Sequence, residues 1–279
     1  MKILLLGGSG FVGRHLAAAL RERGDEVALG SLRDPAAAAA GAAECDAIVN
    51  LAGERIAQRW SAAVKAKIEE SRVEQPRRFL DALAVLPHRS RIYVSASAVG
   101  YYGTSETETF DETSRRGNDF LARVCVGWER EALRAGELGM RVAIVRTGVG
   151  LGTDGGALPK ILPPFRAGIG GRVGNGRQWF SWVHVDDLTG IYCTAIDRVD
   201  GVVNATAPNP VTNAAFTEEL AAALHRPAAL PVPTFALRVM LGEGAAMLLT
   251  GQRVLPRRTQ ELGYRFKFPE LKAALANLL

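Results

Sequence analysis

Apolar residues along this chain follow two rhythms. Short unbroken runs at 2–6, 26–29, 47–51, 91–95 and 142–146, with a further one near 202–205, predict strands buried on both faces. Between them, apolar positions recur with helical spacing, which predicts helices over 12–23, 61–83, 118–139, 187–196 and 213–224. Strand and helix alternate, so the fold class is α/β with a doubly wound, mostly parallel sheet. The alanine-rich run 36–43 reads as a short helix over the sheet edge. After Pro208 the texture changes to Pro227, Pro231 and Pro233, then an apolar segment at 235–250, then a mainly helical stretch ending in 269–279. This predicts a large domain over 1–229 and a small, mainly helical C-terminal domain over 230–279 on the substrate side. The segment 153–178, rich in Gly and Pro, is too irregular for the sheet. It is expected to form a lid, because ligands of such sheets lie outside the carboxyl ends of the strands.

Composition narrows the class. The 279 residues suit one large α/β domain and a small appendage, and 48% hydrophobic with 23% charged residues is ordinary for a soluble protein. Net charge is +5, yet no basic run exceeds a pair such as Arg77-Arg78 or Arg257-Arg258. A nucleic-acid partner is therefore not expected, and the excess charge is assigned to holding an anionic cofactor. Cys45, Cys125 and Cys193 form no CxxC, which points to a reducing compartment. The opening apolar run ends at Gly7, too short for a secretory core, and no stretch reaches about 18 uninterrupted apolar residues. Cytoplasm is the expected location, with no membrane partner. His15, His88, His184 and His225 share no metal-ligand spacing, so no metal site is expected.

The most informative chemistry stands at the start. Leu4-Leu5-Leu6-Gly7-Gly8-Ser9-Gly10-Phe11-Val12-Gly13 is a strand that passes through three spaced glycines into a helix, the cradle of a dinucleotide in a Rossmann-type fold. Gly7 allows the sharp turn, Gly10 lets the backbone approach a pyrophosphate, and Gly13 lets helix and strand pack closely, so the anion rests on the helix N-terminus. An NAD site would place a carboxylate about 20 residues past the glycines. Here the second strand ends in Gly30-Ser31-Leu32-Arg33, and a hydroxyl with a guanidinium suits a 2′-phosphate, so NADP(H) is the expected cofactor. Small residues in Asn50-Leu51-Ala52-Gly53 make Leu51, Ala52 and Gly53 the second expected contact.

Tyr93-Val94-Ser95-Ala96-Ser97-Ala98-Val99-Gly100-Tyr101-Tyr102-Gly103 and the Gly174 to Leu188 stretch, with Asn175-Gly176-Arg177 and His184-Val185-Asp186-Asp187, resemble the extended short-chain dehydrogenase/reductases from residue 1 to about 225. That family works with a Tyr and a Lys four residues apart. No tyrosine here has that lysine; Leu121 and Cys125 stand at the two places. Together with Ser71-Arg72, Cys125-Val126-Gly127-Trp128-Glu129, Arg146-Thr147-Gly148 and Leu158-Pro159-Lys160, the whole chain looks like the atypical, YfcH-like epimerase-family group. The resemblance implies NADP(H) binding, a small helical C-terminal domain, and a homodimer through the helices near 61–83 and 118–139. Bringing a free tyrosine from pKa near 10 to about 7 requires roughly 4 kcal/mol in favour of the phenolate, which a thiol cannot supply.

The expected catalytic set is therefore Ser97 toward a substrate carbonyl, with Ser95 as a rival. Tyr101 or Tyr102 is the proton donor with Arg72 supplying the field; the alternative use of that cation is to draw Cys125 toward thiolate. Ser95, Arg146 and Gly148 join the expected cofactor contacts. Lys160 and Arg166 are expected to meet an anionic substrate across the cleft. Asp186 or Asp187 is expected to cap the following helix while His184 pins its loop, and Trp179, Phe180 and Trp182 are expected to fill core. Two functions fit: an NADP(H)-dependent oxidoreductase or epimerase on a small carbonyl or sugar-nucleotide-like substrate, or a non-catalytic NADP(H)-responsive binding protein.

Overall fold

The computed structural model describes residues 1–228 and 230–279. Strand β1 (Lys2–Leu6) passes into α1 (Phe11–Glu22), then β2 (Glu26–Gly30), α2 (Pro35–Ala43) and β3 (Ala47–Asn50). A long helix follows in three parts: α3 (Ala62–Glu69), a π-helical turn at Glu70–Glu74, and α4 (Gln75–Ala84). Next come β4 (Ile92–Ala98), β5 (Thr109–Phe110), α5 (Phe120–Leu133) and β6 (Arg141–Thr147). The second half runs β7 (Val149–Leu151), α6 (Leu158–Arg166), β8 (Trp179–Phe180), β9 (Trp182–His184), α7 (Val185–Arg198), β10 (Gly201–Ala205), β11 (Val211–Thr212) and α8 (Asn213–Leu224). It closes with α9 (Thr234–Leu241), α10 (Ala246–Leu249), β12 (Arg253–Val254), α11 (Arg257–Glu261) and α12 (Leu271–Leu278).

Six parallel strands form the main sheet in the order β2-β1-β3-β4-β6-β10. The chain steps from β1 outward to β2 and then returns to β3 on the other side. That reversal opens a crevice at the carboxyl ends of β1 and β3. On one face Ile3, Leu5, Val49, Val94 and Val145 meet Leu16 and Leu20 of α1 and Ile191 of α7. On the other, Leu4, Leu6, Ile48, Tyr93 and Ile144 meet Phe79, Leu80 and the alanines of α2. Burial on both faces is why the strand runs are continuously apolar rather than alternating.

The structure differs from the sequence pattern where polar residues or prolines interrupt it. β4 continues past its apolar run to Ala98, because the ladder with β6 persists through Ser97 opposite Arg146. α6 forms within the expected irregular segment despite Pro159, Pro163 and Pro164. Leu158, Leu162 and Phe165 are buried there with Trp182, Phe216 and Leu275, and this packing overrides the poor local propensity. The same core joins α6 to α8 and α12. The expected boundary at residue 229 lies outside the described residues.

The cap of α7 is also a correction. His184, not an aspartate, is the N-cap, and its Nδ1 accepts the Asp186 N–H at 3.1 Å. Asp187 is fully buried and instead accepts the N–H groups of Lys267 and Phe268 at 2.8 and 2.9 Å and the Tyr264 hydroxyl at 3.1 Å. Its carboxylate ties the C-terminal stretch to the sheet domain. No helix among the described residues is long and apolar enough to cross a membrane.

Candidate cofactor and active site

The glycine turn has the geometry its spacing predicts. Gly7 has φ +83°, and a Cβ there would lie 2.8–2.9 Å from the Leu51–Ala52 backbone, so β1 and the end of β3 touch through it. At Gly13 a Cβ would come within 2.5 Å of the Gly7 oxygen, so α1 sits directly on the turn. Gly10 caps α1 with no side-chain hydrogen bond, leaving first-turn N–H groups free for an anion. Ser9 holds the turn through its carbonyl, which accepts from Arg14 at 3.1 Å. Val12 packs on the core beneath. The Phe11 ring is embraced by Gly150, Gly152, Gly155 and Gly156 and anchors the loop after β7, while its N–H belongs to the open first turn of α1. Asp154 of that loop adds an ion pair to Arg14 at 3.3 Å and a hydrogen bond with His15 Nε2 at 2.9 Å.

Ser31 and Arg33 are exposed at the end of β2, and the Ser31 hydroxyl accepts the Arg33 N–H at 3.3 Å. The Arg33 side chain makes no ion pair among the described residues. Leu51, Ala52 and Gly53 continue β3 over the crevice, with Asn50 Oδ1 accepting the Ala52 N–H at 3.1 Å.

The π turn brings a cation to this point. The extra residue per turn buries Ser71, Arg72 and Val73 together and aims Arg72 at the β3 loop. Its guanidinium is 7% exposed, donates to the Glu54 carbonyl at 3.0 Å, and lies so close to Gly53 that a Cβ there would be 2.8 Å from Nη2. The Ser71 hydroxyl, which accepts from Glu54 N–H at 2.9 Å, locks the turn to the loop. Arg72 sits 5.1 Å from the Trp128 ring centroid and has no carboxylate partner among the described residues. Burial lowers its pKa, only partly opposed by Cys125 and Glu54.

Around the ends of β4 and β6 the expected catalytic residues do gather, but several are committed to one another. Ser97 is buried and donates to Glu129 Oε1 at 2.6 Å. Arg146 grips both Glu129 oxygens at 2.8 Å through Nε and Nη2, and its Nη1 donates to the Tyr102 hydroxyl at 3.0 Å. Tyr102 in turn donates to Asn204 Oδ1 at 2.7 Å. Burial works against the Arg146 cation, yet the bonds to Glu129 more than offset it and hold its pKa above the ordinary value. Burial pushes Tyr102 up to about 12 in spite of Arg146.

Four expectations are thereby corrected. Arg146 is buried in an ion pair with Glu129 rather than turned toward a cofactor, and Ser97 points into that pair rather than toward a carbonyl. Ser95 is buried with its hydroxyl on the Ala96 carbonyl at 3.0 Å. Tyr102 is locked as a hydrogen-bond link. The thiolate expectation for Cys125 fails too: burial, then the Glu129 charge, push its thiol up to about 12, and Arg72 recovers little. Gly148 belongs to a chain crossing, since a Cβ there would strike the Ser181 carbonyl. Tyr101 remains available. It is half-buried, its ring lies against the Arg146 guanidinium at 3.3 Å, and its hydroxyl has no partner among the described residues.

Sequence reasoning missed Glu129 and Asn204. A carboxylate one turn past Cys125 on the apolar face of α5 was the available signal for the first; nothing marks the second. Lys160 donates to the Ala57 carbonyl at 3.2 Å, joining α6 to the β3 loop. A hollow of about 620 Å³ opens beside Tyr102, lined by Ser114, Arg115 and Asn118, but none of its lining residues belongs to the glycine turn or the Arg72 group. The strand ends, not that hollow, carry the convergent chemistry.

Comparison with known proteins agrees with this fold. A model described as the NAD dependent epimerase/dehydratase family matches residues 3–209, and one described as a domain of unknown function (DUF1731) matches 232–278. The chain is 48% identical over 237 residues to an Arabidopsis thaliana protein, "Epimerase family protein SDR39U1 homolog, chloroplastic", covering 84% of this chain and 68% of that one. It is 41% identical to the Mus musculus epimerase family protein SDR39U1, across 100% of both. A crystal structure of human epimerase family protein SDR39U1 (isoform2) with NADPH superposes with a TM-score of 0.93 at 39% identity, over 100% of this chain and 99% of that one.

Proposed function

Because this chain belongs to the NAD dependent epimerase/dehydratase family, we propose that it is an NADP(H)-dependent oxidoreductase or epimerase of the cytoplasm acting on a small carbonyl or sugar-nucleotide-like substrate. The observation that carries this reading is the open, uncapped glycine turn together with the buried Arg72 on the β3 loop, which has no carboxylate partner among the described residues. The residues present fit the cofactor: first-turn N–H groups of α1 for the pyrophosphate, Leu51 to Gly53 along the adenosine side, and Ser31 with Arg33 for the 2′-phosphate. When bound, the nicotinamide supplies or accepts hydride. Arg72 stabilises negative charge that develops on the substrate oxygen, and burial makes its field stronger than an exposed cation's. Tyr101 exchanges the proton with that oxygen.

Titration calorimetry with NADPH, followed by turnover assays on aldehydes, ketones and nucleotide sugars, tests the reading. Tyr101→Phe is expected to slow turnover by about 10²–10⁴-fold with unchanged cofactor affinity. No heat with NADP⁺ or NADPH would remove the function altogether. A non-catalytic NADP(H)-responsive role is favoured by one specific observation, the commitment of Ser97 to Glu129. Tight NADPH binding with no hydride transfer to any of these compounds would select it.

A further inference from the structure

We propose that the face built by residues 168–174, 226–228 and 230–240 docks on an anionic lipid surface, with α9 lying in the plane of the headgroups. Leu237 is the one buried residue of α9. On the opposite pole Phe235 and Val239, one turn apart, are 70% and 68% exposed, with Met240 beside them at 66%. Leu230 and Ile169 are 58% and 60% exposed. The two segments run together: Val232 N–H donates to the Arg172 carbonyl at 2.8 Å and Gly174 N–H to the Val232 carbonyl at 3.2 Å. These five side chains stand among eleven exposed large hydrophobics on the described residues. Scattered singly they would mean nothing; grouped on one face they mark a contact surface.

Charge selects the partner. Residues 155–185 and 220–242 hold Lys160, Arg166, Arg172, Arg177, Arg226 and Arg238 and no Asp or Glu, whereas the whole chain is only +5. The face itself carries Arg172, Arg226 and Arg238 with no Asp or Glu, so it is cationic. Arg166, Arg172, Arg226 and Arg238 are exposed and make no ion pair among the described residues; Arg177 meets Glu106 at 3.4 Å. A second copy of the chain is a poor occupant, because a two-fold contact would set these arginines against each other. A short helix with a protruding apolar pole and flanking arginines matches shallow insertion among anionic headgroups, where guanidinium groups pair with phosphates. This departs from the sequence-based expectation of no membrane partner, which rested on the absence of a spanning stretch.

Cosedimentation of the full chain with vesicles of phosphatidylcholine alone, or of phosphatidylcholine and phosphatidylglycerol at about three to one, tests this. The expected result is retention on the anionic vesicles at low salt, release at high salt, and none on the neutral ones. Phe235→Asp with Val239→Asp should weaken retention at least about tenfold, given the loss of inserted apolar area. Arg172→Gln with Arg226→Gln, which leaves the apolar pole intact, should weaken it by about fivefold per cation. Circular dichroism and melting temperature confirm that each variant is folded, and the second pair serves if the first is not. Absence of retention, equal retention on neutral vesicles, or undiminished retention of both folded variants would overturn the proposal. So would self-association in lipid-free solution that the aspartate pair abolishes, which would make the face a protein interface.

Discussion

At the scale of single residues, the molecule separates groups that hold the site together from groups free to act. Glu129 and Arg146 are buried and bound through two 2.8 Å hydrogen bonds. Removing one partner leaves an uncompensated buried charge, so Glu129→Ala is expected to cost about 3–5 kcal/mol in urea unfolding. Ser97→Ala removes one donor to a carboxylate that keeps Arg146, and is expected to cost about 1–3 kcal/mol. Equal losses for the two variants would contradict this ordering. Arg33 behaves oppositely, being exposed and unpaired among the described residues. Arg33→Ala should leave stability unchanged and weaken NADPH by about 10–100-fold while sparing NADH, as expected for one lost charge-assisted phosphate contact. Parallel titrations with the two nucleotides check it, and equal losses would take Arg33 out of the site. The arginine's place was legible in the sequence because its distance from the glycines fixes where β2 ends. The fate of Ser97 was not, because its partner lies 32 residues away.

Among elements, function follows from irregularities in otherwise regular pieces. The π turn between α3 and α4 is invisible to helical periodicity, yet it decides that Arg72 faces the crevice instead of solvent. The start of α7 is capped by a histidine whose burial holds its pKa below the usual 6.5. The unfolded chain therefore binds this proton more tightly than the folded one. Stability from His184 is full above about pH 6.5 and is lost as pH falls below it, through the folded value. Melting temperature is expected to drop from about pH 7.5 to about pH 5.5, and to drop less in His184→Gln. An identical slope in both proteins would show that other groups govern this window. The carboxylates with lowered values, Asp25, Asp111 and Asp154, lose their contributions only below the usual 3.8, so they do not confound it.

For the whole molecule, α6 and the C-terminal stretch share one core with α8, and Asp187 of α7 clamps that stretch in place. Asp187→Asn keeps the shape but offers one acceptor oxygen where two served, and is expected to cost about 2–3 kcal/mol. It should also speed tryptic cleavage at Lys267 and Lys272; unchanged cleavage would mean that packing of Leu271 and Leu275 alone holds the tail. The sequence by itself determined the strands, the parallel α/β class, the glycine turn and the NADP(H)-suited end of β2. Each of these is written in contiguous residues, through apolar runs, turn glycines and short spacings that act on the backbone locally. The tertiary structure alone decided which polar groups were spent on one another. Ser97, Tyr102 and Arg146 pair with Glu129 and Asn204 across distant elements, and a buried hydrogen bond consumes a side chain however catalytic its motif looks. It also decided that Arg72 would be buried without a carboxylate, because a π turn, a loop and α5 converge there from three separate parts of the chain.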